Sequence, residues 1–242
     1  MGLWRTPPCS MLISPSAVPS ETSKWIKVHP PPNTLQNNVE ICVPPLFGNI
    51  SHTDVIEFIE VVRLFGAKHI HFYNCQASHS IEAVLSHYEK FGIVTVLLWK
   101  LDKRMTSSKE ALHYYGQATH MQDCLYRHMF STRFLAFRDI EEVFVLAKHS
   151  SWFTMMTSVK NYKQLAGIIV PSAVFDPHWR HKGNSSGRVR IRQLTDVIRT
   201  KLPVPRGRRA KYIVNPRHVF EMSVHNTRTP ILTNLKGVRM PA

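Results

Sequence analysis

Apolar residues in the first two thirds of the chain recur with two different periods. Short runs that are dense in β-branched and aromatic residues are typical of buried strands. Between these runs, apolar residues return every three or four positions, which is typical of amphipathic helices. We predict strands over residues 39–43, 68–73, 93–99 and 134–137, and helices over residues 51–65, 80–91 and 115–130.

The predicted elements alternate between strand and helix. This alternation indicates an α/β fold, in which a mostly parallel sheet is flanked by helices on both faces. The rest of the chain is less regular, with predicted strands over residues 165–170, 210–214 and 219–224. In such sheets, ligands bind beyond the carboxyl ends of the strands. Polar residues that directly follow a predicted strand are therefore the first candidates for a functional site.

The domain organisation follows from proline content and hydropathy. Residues 1–39 contain seven of the 16 prolines, so we predict a proline-rich stem or linker without a fold of its own. Residues 40–230 form the predicted globular domain, and residues 231–242 form a C-terminal tail. No apolar run reaches the roughly 20 residues of a membrane-spanning helix, and residues 1–20 lack the apolar core of a signal peptide. We therefore expect no signal or transmembrane segment in this sequence.

The net charge of +15 is concentrated in the C-terminal third of the chain. From Arg180 onwards the sequence has 15 Lys and Arg residues but only two acids. Such a basic surface attracts nucleic acids, anionic membranes or phosphorylated ligands. The sequence has no zinc-finger, recognition-helix or aromatic RNA-binding pattern, and its four cysteines form no CxxC pair. We therefore expect no nucleic-acid partner, and a basic nucleic-acid-binding protein is kept as an alternative.

Three carboxylates follow the predicted strand over residues 134–137, namely Asp139, Glu141 and Glu142. Oxygen ligands at the exposed end of a buried strand suit a hard divalent cation, such as magnesium or manganese, that also binds phosphate. In an extended backbone, Asp139 and Glu141 point to the same side of the chain and Glu142 points away. Asp139 and Glu141 are thus the predicted ligand pair. The alternative is that all three are solvated acids at a strand–loop junction.

A set of motifs, taken in order along the chain, resembles glycosyltransferase family 92, whose members are similar to galactosyltransferases. Besides the acidic triplet, the matching segments are residues 42–48, 57–60, 63–67, 71–73, 115–117, 122–125, 211–216 and 224–225. The resemblance implies a GT-A-like fold of the Rossmann type and an inverting transfer of galactose from UDP-galactose, with Mn²⁺ as cofactor. It implies a glycan acceptor on a glycoprotein or glycolipid. It also implies a lumenal domain at the Golgi membrane, held by an N-terminal anchor that is not visible in this sequence.

The resemblance also implies roles for individual residues. Asp139 and Glu141 match the family's DxD motif, and His225 lies where such folds often supply a further metal ligand. Glu142 is expected to complete the nucleotide-sugar site. The remaining expectations are that Asp123 contacts the nucleoside, that Arg188 and Arg190 close over the diphosphate, and that Asp176 is the general base. The alternatives are that Asp123 only supplies a polar helix face and that Asp176 is a turn residue.

Two positions depart from the family's pattern. Glu141 replaces an aspartate of the acidic motif, and Val143 replaces an aromatic residue. A catalytically impaired family member that acts as a binding protein is therefore kept as an alternative. If the domain folds in an oxidising compartment, two of Cys42, Cys75 and Cys124 are expected to pair, and the sequence does not say which two.

Overall fold

The structure is a computed structural model that describes residues 9–29, 34–102, 112–146, 148–174, 209–224, 226–230 and 237–239. The chain divides into two compact units, Met1–Thr34 and Leu35–Ala242. In the first unit, β1 (Ser10–Ile13) pairs antiparallel with β2 (Lys24–Lys27). Residues 1–39 thus contain two paired strands besides the start of the second unit. The two strands are free of proline, and Pro15 and Pro19 lie in the connection between them. The role of this segment as a stem or linker stays a prediction.

The second unit is built on a mixed sheet that is mostly parallel. Its strands are β3 (Asn37–Cys42), β4 (His69–Asn74), β5 (Val94–Leu98), β6 (Thr132–Phe137), β7 (Gly167–Val170), β8 (Lys211–Val214), β9 (Val219–Ser223), β10 (Asn226–Pro230) and β11 (Gly237–Arg239). Within the described residues, seven of them form the central sheet in the order β11-β7-β8-β6-β3-β4-β5, and β9 pairs with β10. The four strands from β6 to β5 are parallel, whereas β8 runs antiparallel to β6 and β7.

Helices connect the parallel strands as the sequence predicts. They are α1 (His52–Leu64), α2 (His79–Lys90) and α3 (Gln117–His128), and a short α4 (Trp152–Ser158) is an addition to the predicted elements. The hydroxyl of Ser51 accepts a hydrogen bond from the backbone N–H of Thr53 and caps α1. Gly66, with φ +96°, ends the helix in a conformation that other residues rarely adopt. In the described part of the chain, no helix is long and apolar enough to cross a membrane.

The central sheet has an apolar layer on each face. One layer packs α1, α2 and α4 against alternate strand positions, and its largest buried side chains include Phe58, Phe72 and Trp152. The other layer packs α3 against the remaining positions, which include Tyr73 and Phe137. This arrangement confirms the predicted α/β class with a mostly parallel sheet.

A disulfide bond joins Cys42, at the end of β3, to Cys124 in α3. Both residues are fully buried, whereas Cys75 is free and half-buried. The structure therefore selects one of the pairings that the sequence left open. Because Cys42 is the last residue of β3, the bond holds α3 over the carboxyl ends of the parallel strands, where an α/β domain binds its ligands.

Candidate functional site

The acidic segment turns as soon as it leaves β6. The backbone N–H of Glu142 donates to the carbonyl of Asp139 at 3.2 Å, which closes a tight turn. Glu142 therefore comes back beside Asp139, and its Oε2 lies 3.5 Å from the backbone nitrogen of Asp139. Glu141 is at the outside of the turn and is exposed. The assumption of an extended backbone is wrong, and the structure brings Glu142 rather than Glu141 together with Asp139.

Lys211 lies between these two carboxylates. It is the first residue of β8, which runs antiparallel to β6 with Tyr212 opposite Phe137. Its Nζ donates a hydrogen bond to Oδ2 of Asp139 at 2.6 Å and lies 3.2 Å from Oε2 of Glu142. One oxygen of Asp139 and one oxygen of Glu142 thus point to the same position, which the buried ammonium group of Lys211 occupies.

Burial and charge have opposite effects within this cluster. Burial lowers the pKa of Lys211, but the charges of Glu142 and Asp139 outweigh it, so the net pKa is raised and Lys211 stays protonated. Burial raises the pKa of Glu142, and the neighbouring Lys211 offsets this only in part. Glu142 is therefore easier to protonate than a solvated glutamate.

A second cation lies beneath the carboxylates. Arg138 is fully buried, and its guanidinium stacks over the rings of Phe58, Phe144 and Trp152 at 4.8, 5.5 and 5.6 Å. None of its side-chain nitrogens has a hydrogen-bond partner among the described residues. Burial lowers the pKa of Arg138 to about 9, against the opposing charges of the acidic segment. At neutral pH it is still protonated, so it adds a positive charge below the candidate site.

A narrow crevice opens beside Lys211, between β8 and α3. His120 lines it and is fully buried, with its ring 4.4 Å from the ring of Tyr73. Both ring nitrogens lack a hydrogen-bond partner within the part of the chain that is described. Burial lowers the pKa of His120 to about 4, so the imidazole is neutral at pH 7. A neutral imidazole can donate one hydrogen bond and accept another.

The carboxylate of Asp123 is already engaged by neighbours. The hydroxyl of Tyr73 donates to it at 2.6 Å, and Arg127 binds it with two nitrogens at 2.8 and 3.1 Å. Burial raises the pKa of Asp123, but the hydrogen bonds from Arg127 and Tyr73 outweigh it, and the net pKa is lowered. The predicted contact between Asp123 and a nucleoside stays a prediction.

A separate group of side chains has the composition of a possible metal site. Glu40 on β3, His71 on β4 and His128 at the end of α3 place one ligand atom each within 4.8 Å of one another. Nε2 of His71 is 2.8 Å from Oε2 of Glu40, and Nδ1 of His128 is 3.6 Å from the same oxygen. One carboxylate and two imidazoles are a donor set that divalent metals use in proteins.

The present geometry of this triad is that of a hydrogen-bonded cluster. The rings of His71 and His128 are stacked, with centroids 3.5 Å apart and an angle of 20° between the planes. Lone pairs of parallel rings do not converge on one ion, so a metal would require one ring to rotate. Burial raises the pKa of Glu40, but the hydrogen bonds from His71 and Asn37, together with the neighbouring imidazoles, outweigh it, and the net pKa is lowered. Burial lowers the pKa of His128 to about 3.

Four of the predicted site residues lie outside the described residues, namely Asp176, Arg188, Arg190 and His225. Their assigned roles stay predictions. Conversely, no role is predicted from the sequence for Lys211, Glu40, His71 or His128. A signal for Glu40 and His71 exists in the sequence, since each of them interrupts an apolar strand and marks a polar position on one sheet face. No local signal marks Lys211 as a partner of Asp139.

The family model described as "Glycosyltransferase family 92" matches residues 37–235. The chain belongs to glycosyltransferase family 92. The match begins with β3 and includes the acidic turn, Lys211 and the crevice. The carboxylate cluster at the carboxyl edge of the sheet therefore lies within the family's own domain.

Comparison with characterised proteins gives relatives in animals and plants. The chain is 26% identical over 211 residues to the beta-1,4-galactosyltransferase galt-1 of Caenorhabditis elegans, an alignment that covers 86% of this chain and 46% of that protein. It is 28% identical over 190 residues to the galactan beta-1,4-galactosyltransferase GALS2 of Arabidopsis thaliana, which covers 76% of this chain and 35% of that protein. The chain thus spans less than half the length of these relatives. Together with the family match, they support a glycosyltransferase.

Proposed function

We propose that this family 92 protein transfers galactose from UDP-galactose to a glycan acceptor, with inversion at the anomeric carbon, on a GT-A-like fold. The observation that carries the proposal is the cluster of Asp139, Glu142 and Lys211 at the carboxyl edge of a mostly parallel sheet. A diphosphate that binds there meets fixed charges in a partly dehydrated setting. Galactose as the sugar is supported by the names of the relatives.

In the proposed reaction, an acceptor hydroxyl attacks the anomeric carbon on the face opposite the nucleotide. The new bond joins the acceptor oxygen to that carbon, and the bond between the carbon and the diphosphate breaks. UDP leaves with the electron pair of that bond, and the proton of the hydroxyl goes to a general base, for which Asp176 is our candidate. Arg188 and Arg190 are the proposed contacts to the diphosphate, and Asp123 the proposed contact to the nucleoside.

The donor atoms at the acidic turn fit a hard divalent cation such as Mn²⁺. Asp139 and Glu142 already direct one oxygen each to a single cationic group, so we propose them as the first two protein ligands. Glu141 and His225 are further proposed ligands, and His225 directly follows Val224, a residue of the crevice beside Lys211. When bound, such an ion would take up negative charge on the leaving UDP.

We also propose that the domain works in the lumen of the Golgi, as part of a membrane-anchored protein. The support from this chain is the disulfide between Cys42 and Cys124, because disulfides form and persist in oxidising compartments and are rare in the cytosol. Because this buried bond joins the end of β3 to α3, we propose that α3 is held in place on the sheet only after the two cysteines are oxidised.

One observation favours a second candidate, a family member that binds a nucleotide sugar without transferring the sugar. The ammonium of Lys211 holds the point where Asp139 and Glu142 converge. A divalent cation would have to displace Lys211 or bind beside it. If Lys211 substitutes for the metal, the chain would bind UDP without any requirement for a divalent ion.

Isothermal calorimetry of UDP binding separates these proposals. The natural protein is titrated with Mn²⁺ present and again with EDTA, and galactosyl transfer from UDP-galactose is measured in parallel. Asp139→Ala is the test variant, and Glu21→Ala, an exposed carboxylate in the first unit, is the matched control. Binding and transfer that require Mn²⁺ and Asp139 support the enzyme. Metal-independent binding without transfer supports the second candidate, and no binding in any condition rejects both.

A pair of conservative variants tests the geometry of the turn. Glu142→Gln is expected to weaken UDP binding in Mn²⁺ by about tenfold, because its carboxylate faces Asp139 and charge-assisted contacts contribute roughly 1.5–3 kcal/mol. Glu141→Gln, on the exposed side of the turn and proposed only as a further ligand, is expected to weaken binding less than Glu142→Gln does, by about threefold. The opposite order of effects would restore Glu141 as the partner of Asp139.

A further inference from the structure

A cavity of about 410 Å³ lies at the end of the central strands that is opposite to the acidic turn. It is formed where β6 begins and where the antiparallel β8 ends, so it is separated from Asp139 by the length of β6, roughly 16 Å. Its lining includes Arg133, Tyr162, Lys163, Asn215 and Arg217. The proposed galactosyl transfer uses none of these residues.

The lining of this cavity is strongly basic. Arg133, Lys163 and Arg217 contribute three positive charges, and no carboxylate lines the cavity. Among the described residues, none of the three forms an ion pair with an acid. The Nε atoms of Arg133 and Arg217 are buried, and neither has a hydrogen-bond partner in the described ranges. Guanidinium and ammonium charges that line a cavity without a carboxylate favour an anion that can accept hydrogen bonds from them.

Lys163 and Arg217 lie on two short turns, and Arg133 lies on β6. Asn215 begins the turn that carries Arg217, and its side chain accepts a hydrogen bond from the backbone N–H of Arg217 at 3.3 Å. The backbone N–H of Asn215 donates to the carbonyl of Ala166 at 2.9 Å, just beyond the turn that carries Tyr162 and Lys163. The backbone positions of Arg217 and Lys163 are thus set by the fold before any ligand binds, which reduces the entropy that binding costs.

The size and walls of the cavity restrict the ligand further. About 410 Å³ is within the usual range for small-molecule sites and larger than one oxyanion needs. Tyr162 is half-buried and, with the edge of Phe134, forms an aromatic wall beside the cations. Such a wall can pack against the apolar face of a compact ring while the cations bind its charged group.

We propose that this cavity is a second ligand site that binds a phosphate or sulfate monoester of a compact polar molecule, such as a sugar. The guanidinium groups of Arg133 and Arg217 bind the oxyanion, and Lys163 adds charge at the rim. Tyr162 packs against the organic part of the ligand. The site is independent of the transfer reaction, so it stands or falls separately from the proposed function.

Calorimetry with defined probes tests this site in the absence of UDP and metal. Glucose 6-phosphate, inorganic phosphate, inorganic sulfate and uncharged glucose are titrated into the full chain at constant ionic strength. We expect one saturable site for glucose 6-phosphate and none for glucose. Tighter binding of glucose 6-phosphate than of inorganic phosphate identifies an ester as the ligand, whereas equal affinities identify the free oxyanion as the source.

Variants locate the binding. The double variant Arg133→Gln with Arg217→Gln is expected to bind at least about tenfold more weakly, and Lys163→Gln about threefold more weakly. Arg63→Gln, which removes an exposed arginine from α1, is the matched control and is expected to bind like the natural protein. Asp139→Ala is expected to retain the binding, which separates this site from the candidate catalytic edge.

Two results would overturn the proposal. One is the absence of saturable binding of any anion to the natural protein. The other is an equal loss of affinity in Arg63→Gln and in the cavity variants, since this would show attraction by the overall charge alone. If circular dichroism shows that the double variant is unfolded, the affinity of Lys163→Gln for glucose 6-phosphate decides whether the cavity is the site. Lys163 is exposed, so its replacement leaves the core intact.

Discussion

Removal of the disulfide gives the sharpest test of how α3 is held on the sheet. The perturbation is the double variant Cys42→Ala with Cys124→Ala, in which alanine avoids a buried hydroxyl at two fully buried positions. The bond closes a loop across a sequence separation of 82 residues. In the chain-entropy model, a loop of this length corresponds to a loss of about 4.5 kcal/mol in the free energy of unfolding.

Urea unfolding, followed by tryptophan fluorescence and far-UV circular dichroism, measures this loss. The natural oxidised protein, the double variant and Cys75→Ala are compared at pH 7 without reductant. Cys75 is free and half-buried, so its alanine variant is expected to lie within about 1 kcal/mol of the natural protein. Reduction of the natural protein with dithiothreitol is expected to lower its stability to about that of the double variant.

Thiol titration in denaturant supplies an independent check. The unreduced natural protein is expected to show only the thiols of Cys9 and Cys75, because the other two cysteines are bonded to each other. A double variant that loses less than about 1 kcal/mol would contradict the loop-closure reasoning. Four reactive thiols in unreduced protein would show that the bond does not form in solution.

Two further predictions concern charge. Lys211→Met is expected to cost about 2–3 kcal/mol at pH 7, because it leaves Asp139 and Glu142 side by side without a cation. The pKa of Glu142 is raised by burial, so Glu142 loses its charge more readily than a solvated glutamate and the cost is expected to shrink as the pH is lowered. Urea unfolding that shows the same cost at pH 7 and at acidic pH would refute this. The second prediction follows from His120 and His128, whose pKa values of about 4 and about 3 lie below the unfolded value of 6.5, so unfolding takes up protons. The free energy of unfolding is therefore expected to fall as pH drops below 6.5, by about 1.4 kcal/mol per pH unit for each histidine. In His120→Met, about one proton fewer is expected to be taken up on unfolding. Urea unfolding between pH 7 and pH 5 measures this as a weaker dependence of the free energy of unfolding on pH, and an unchanged dependence would contradict the burial argument.

The sequence by itself determined the class of fold and the position of the acidic residues after β6. The apolar periods are local properties, since they depend on which face of one helix or strand is buried. They located the strands and helices of the parallel half of the sheet to within a few residues. Because ligands bind beyond the carboxyl ends of parallel strands, the same pattern identified Asp139 as a candidate site residue before any tertiary contact was known.

Only the tertiary structure decided which side chains meet. A single tight turn after β6 places Glu142 rather than Glu141 beside Asp139, because alternation between faces holds only while the backbone stays extended. The antiparallel insertion of β8 next to β6 brings Lys211 to the same carboxylates across a separation of 72 residues. The pairing of Cys42 with Cys124, the stacked imidazoles on Glu40 and the basic cavity at the opposite edge have the same origin. Each depends on which strands are neighbours and in which direction they run, and a local pattern of burial contains no information about either.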